Sequence, residues 1–173
     1  MKIFIFTSLL LFFSNTSTVL DNSRILFFQF DADKTAPDQL QKLLKTNHFE
    51  SEPVLSAYLG VAIAAKANTE SSPVLKLNRF NEGKALVEQA LKDDPTNAEI
   101  RLLRLSIQTE APSFLSYDSN IEGDKRFIIH TLKTKDTPFN DSVFRRKVLI
   151  FLQKKVVLSP QEKYLVANLL RSA

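Results

Sequence analysis

Arg101, Arg104 and Gln108 are the residues of this chain whose types and spacing come nearest to a recognition surface. In a helix, positions three and four apart lie on one face, so the two guanidiniums and the amide form a single stripe. A guanidinium grips a carboxylate or phosphate through two parallel N–H bonds, which gives such a stripe a definite chemistry. Around it, Ile100, Leu102, Leu103, Leu105 and Ile107 cover more than half of the circumference, so the helix from Asn97 to Thr109 should be buried between neighbours. Two arrangements follow. In one, Arg101, Arg104 and Gln108 line an open groove with Tyr117 of the next loop at its edge. In the other, the arginines pair internally with Glu82, Glu88, Asp118 or Glu122. The loop from Ala111 to Asn120 also carries Pro112, Phe114, Asp118 and Asn120. These suit a pocket mouth, although a loop pinned by Phe114 into the core is the plainer expectation.

Little else points to catalysis. The chain has no cysteine and two histidines, which removes thiolate nucleophiles, disulfides, zinc ribbons and any three-histidine metal site. No metal and no cofactor is expected. His48 follows Asn47 near a helix end, where the dipole favours an imidazolium cap. His130 has Arg126 one turn before it and Lys133 one turn after, neighbours that disfavour its protonated form and supply no orienting carboxylate. Neither a Gly-x-Ser-x-Gly elbow nor a glycosidase-like carboxylate pair stands out. The sequence therefore reads as a non-enzymatic binding or assembly module. The alternative is a small hydrolase-like enzyme with dispersed catalytic groups near His130.

The elements that position these residues are expected to be helices. The 173 residues, 44% hydrophobic and 24% charged, suit one globular domain. Seven prolines and three glycines leave little for hairpin turns or phosphate loops. Met1 and Lys2 precede an apolar run from Ile3 to Phe13 and a small polar stretch from Ser14 to Thr18, the order of parts in a signal peptide. Its length is short for a membrane span. Residues 1–18 are thus expected to be removed on export to the periplasm or outside, with cleavage between Thr16 and Leu20. Without a cysteine the product is not a lipoprotein. Residues 19–173 then form one all-α domain of six to eight helices. Helices are expected over Val19 to Phe30, from Pro37 to Asn47, from Pro53 to about Asn68, over Phe80 to Leu91, and from Asn97 to Thr109. Three more follow, from Ile121 to Lys133, Asp141 to Lys155, and Pro160 to Arg171 after a Ser159 cap.

Charge is uneven along the chain. Val19 to Gly123 holds 11 Lys/Arg against 15 Asp/Glu, whereas Asp124 to Ala173 holds 11 against 4. For an exported protein this does not suggest nucleic acid. The expected partner is a protein or peptide, with weak peripheral membrane contact through the basic C-terminal third.

The segment from Phe80 to Pro95 resembles the second helix of a tetratricopeptide repeat, with Phe80, Gly83, Ala90, Leu91 and Pro95 in the places of its aromatic, small, Ala-Leu and proline positions. Leu59 and Gly60 are similar to the Leu-Gly pair of the first helix, though about eleven residues are inserted between the halves. The resemblance implies a helical hairpin at about 53–95 within a degenerate array. The wider run Asn97 to Ile128 also resembles an uncharacterised exported helical family of Bacteroidota, which implies an exported helical domain and no particular activity.

Overall fold

A computed structural model describes residues 6–47, 52–134 and 138–172. Eight α-helices succeed one another: α1 (Phe6–Phe27), α2 (Ala36–Asn47), α3 (Pro53–Ala65), α4 (Pro73–Asp93), α5 (Ala98–Glu110), α6 (Ile121–Thr134), α7 (Ser142–Lys155) and α8 (Pro160–Arg171). Among the described residues there is no strand, so the protein is all-α. None of these helices is long and apolar enough to cross a membrane. The expected helix-end role of His48 lies outside the described residues.

Local chemistry sets most of the boundaries. Asn97 accepts hydrogen bonds from the Glu99 and Ile100 amides at the start of α5, and Asp141 accepts from the Phe144 amide at the start of α7. Ser159 and Glu162 form a reciprocal capping box ahead of Pro160 in α8. Two expectations need correction. α4 starts at Pro73, about two turns before Phe80, so the residues inserted between the two glycine-bearing helices form a short 3₁₀ turn (Lys66–Asn68) and the first turns of α4. α1 spans Phe6–Phe27, so it begins before the expected Val19 and ends before Phe30. Val19 of this helix is a buried core residue.

Buried apolar side chains gather in two clusters. The first joins α1 to α4 around Leu40, Leu55, Tyr58 and Val87. The second joins α6 to α8 around Ile128, Phe139, Leu149 and Val166. Helix α5 belongs to both, because Ile100, Leu103 and Ile107 face the first and Ala98, Leu102 and Leu105 face the second. At about 100° per residue these two trios lie on roughly opposite sides of one helix. Arg101, Arg104 and Gln108 fall in one seam between them, and Glu99 and Ser106 in the other.

The most extensive helix pairing is α3 on α4, and it is unusually close. A Cβ built on Gly60 would lie 2.6 Å from the Gly83 carbonyl oxygen, and one on Gly83 would lie 2.7 Å from the Ala64 amide nitrogen. The two helices cross in backbone contact, which any larger residue at either position would prevent.

Candidate functional site

Arg101 and Arg104 occupy the first seam of α5, and both turn inward. Arg104 donates from Nε to Asp124 Oδ2 at 2.7 Å and from Nη2 to Asp124 Oδ1 at 2.8 Å. Its Nη1 reaches Glu88 on α4 at 3.2 Å. Arg101 donates to Asp124 Oδ1 at 3.0 Å and to the Pro95 carbonyl at 2.7 Å, and stacks over the Phe127 ring. Tyr117 donates its hydroxyl to the remaining oxygen of Glu88. Asp124 is fully buried. A buried carboxylate needs several donors, and the two guanidiniums supply them. Burial works against the charge of Arg104, but the Asp124 carboxylate outweighs it and holds the guanidinium pKa above its ordinary value.

The four residues expected to line an open groove are therefore placed differently. Arg101, Arg104 and Tyr117 do come together, but around Asp124 and Glu88 in a closed network. Of the four acids weighed as internal partners, Glu88 is used. The principal partner, Asp124, was not among them. Gln108 is buried one turn further along, and its amide has no hydrogen-bond partner among the described residues. Phe114 does not pin its loop into the core. It is 81% exposed, and Tyr117 is the buried anchor instead, packed edge-on to Phe80. The physical reason is that the tyrosine fills an apolar site while its hydroxyl satisfies Glu88.

The second seam holds a matching arrangement that the sequence did not disclose. Glu99 is buried and accepts two bonds from Arg24 of α1, at 2.8 and 2.7 Å, and one from the Tyr58 hydroxyl of α3 at 2.7 Å. Arg24 also covers the face of Phe144 on α7. Burial, and then the adjacent Glu99 carboxylate, push the Tyr58 phenol well above its ordinary range. Glu99 reads locally as a first-turn acid favoured by the helix dipole. The available signal was a carboxylate flanked by Ala98 and Ile100 in a helix already expected to be buried. A cleft of about 430 Å³ opens beside this cluster, lined by Leu20, Asn97, Pro138 and Asn140 among others, but the Glu99 charge is already met by Arg24.

A larger concavity lies elsewhere. A groove of about 890 Å³ runs between the end of α1, the joined ends of α3 and α4, the C-terminal half of α5 and the last turns of α7. Six phenylalanines line it: Phe27, Phe28, Phe30, Phe80, Phe114 and Phe151. Ala64 and Ala65 of α3 keep its floor open, and Leu77 of α4 adds to a wall while 45% exposed. The 3₁₀ turn Ser113–Leu115 projects Phe114 over the edge, ending at Ser116 in the left-handed region with φ 48°. Asp31, Lys34, Lys76, Glu110 and Lys155 stand around the rim. No local sequence pattern marks this groove, because its phenylalanines come from separate elements.

The remaining candidates contribute less. His130 is exposed on α6, lines neither concavity, and has no hydrogen bond or ion pair among the described residues. No group of three or more acids or histidines is placed to hold a metal among those residues. Part of the basic C-terminal third is committed internally: Lys125 is buried and reaches Glu122 and Glu162 at 2.9 and 3.1 Å. Comparison of the chain with protein-family models, curated proteins and solved structures yields no match.

Proposed function

We propose that the chain is a non-enzymatic, exported binding module that holds an apolar segment of a protein or peptide in the phenylalanine-lined groove. The observation that carries this reading is the groove itself. An apolar concavity of about 890 Å³ with Phe114 81% exposed at its edge and Phe28, Phe30 and Phe151 half-buried is costly to leave open to water, and such surfaces mark binding sites. Each fully buried apolar side chain of a guest would contribute roughly 1.5–3 kcal/mol. The arginine networks act as struts that hold α5, one wall of the groove, against its neighbours. Export rests on the apolar N-terminal run and its polar border, and N-terminal sequencing of the secreted product should begin between Ser17 and Asp21.

The groove is tested by placing a photoreactive phenylalanine analogue at position 114 and, as control, at the exposed Tyr164 on α8. Crosslinked partner adducts in the producing cell should form from position 114 and not from position 164. Equal labelling from both positions, or none from 114, would overturn the assignment.

A further inference from the structure

We infer that the occupant of this groove is an amphipathic helix carrying acidic residues beside its apolar stripe, an inference that rests on the groove being the binding site. The first observation concerns backbone. About half of the groove's lining comes from α3, α4, α5 and α7 with Phe27 of α1, and the rest mainly from the turns after α1, α3 and α5; no strand lies among the described residues, and helices pair their own N–H and C=O groups internally. Such walls have no strand edge to offer. An extended peptide would enter with its backbone groups unmet, at a high desolvation cost, whereas a helix brings those groups already paired and presents only side chains.

The second observation concerns charge. Two acids stand at the rim, Asp31 and Glu110, and Lys155 joins both, at 3.1 and 3.0 Å. That triad closes one side of the groove, and its single lysine leaves it one net negative charge. Lys34, beyond α1, and Lys76, in the first turn of α4, are exposed on two other walls. Neither has an acidic partner among the described residues. Three lysines against two acids make the rim net positive by one, and its two unpaired charges, Lys34 and Lys76, come from two directions. A guest complementary to it carries apolar residues at i, i+3, i+4 and i+7 with carboxylates flanking that stripe.

The test uses the full chain and two fluorescein-labelled synthetic peptides of about 18 residues, roughly five helical turns. Both have a leucine stripe at helical spacing, with Glu at the flanking positions in one and Lys in the other. The Glu peptide should bind about tenfold more tightly by fluorescence anisotropy, roughly what two exposed ion pairs supply together. It should also gain helical circular dichroism on binding, since a free peptide of that length is only marginally helical. The double variant Lys34→Glu and Lys76→Glu changes exposed side chains only, and should reverse the preference. Equal binding of both peptides, abolished by Phe114→Asp, would overturn the charge inference and leave the groove assignment intact. Binding without gained helicity would overturn the helical one. Binding of palmitate but of neither peptide would identify an acyl chain as the occupant instead. If the peptides and palmitate all fail to bind, the groove assignment falls with the inference.

Discussion

At the scale of single residues, the two inward-facing arginines differ in how much depends on them. Arg104 occupies both oxygens of the fully buried Asp124, so Arg104→Met strands a carboxylate and should cost on the order of 3 kcal/mol in urea unfolding. Arg101 has a side chain 21% exposed and gives Asp124 a single bond. Arg101→Met should therefore cost only about 1 kcal/mol; equal losses would mean that burial does not rank the pair. Alkaline behaviour follows from the two buried tyrosines. Burial raises both phenols, with Glu99 adding to it at Tyr58 and Glu88 at Tyr117. A raised folded pKa means that their contribution is complete below the unfolded phenol value of about 10 and is lost as pH climbs above it. Difference absorbance between the parent and the Tyr58→Phe variant should show no phenolate from that residue until circular dichroism reports unfolding. Phenolate appearing in the folded protein would sink this account. The spacing of Arg101 and Arg104 exposed the stripe, but not its partner. Asp124 lies 20 residues from Arg104, and only tertiary packing brings them together.

Among the elements, the α3–α4 hairpin shows where helix propensity and packing oppose each other. Alanine is favoured over glycine inside a helix by roughly 1 kcal/mol. At Gly60 and Gly83 the added methyl would meet backbone of the facing helix, and overpacking costs about 1–3 kcal/mol. Gly60→Ala and Gly83→Ala should each lower the thermal midpoint. Gly123→Ala on α6, where nothing lies within 4 Å of the added carbon, should raise it slightly. The same sign for all three would refute the close crossing. Helix positions were legible where their signals are local: Ser159, Pro160 and Glu162 place the start of α8 to the residue. The first two turns of α4 were not legible, because Val74, Leu75 and Leu77 stay largely exposed and form no core-facing stripe.

Taken whole, the molecule depends on one helix. Leu102 and Leu103 are neighbours in α5, both fully buried, yet they enter different apolar clusters. Leu102→Ala and Leu103→Ala should each cost about 2–5 kcal/mol and should shift one shared unfolding transition rather than splitting it. Two separate transitions would show that α5 does not couple the clusters. The all-helical class and the burial of α5 could be read from periodicity, since both arise within short segments. The groove could not, because Phe27, Phe80 and Phe151 meet only after α1, α4 and α7 have packed. The contact of Gly60 with Gly83 reaches that groove as well. Val61 and Ala64 of α3 and Leu77 and Phe80 of α4 are parts of its lining, so the separation of those walls is set where the two backbones touch. The glycines thus act as a gauge: they set the calibre of the groove, and in the proposed binding role a methyl group at either would select a guest for girth rather than for chemistry.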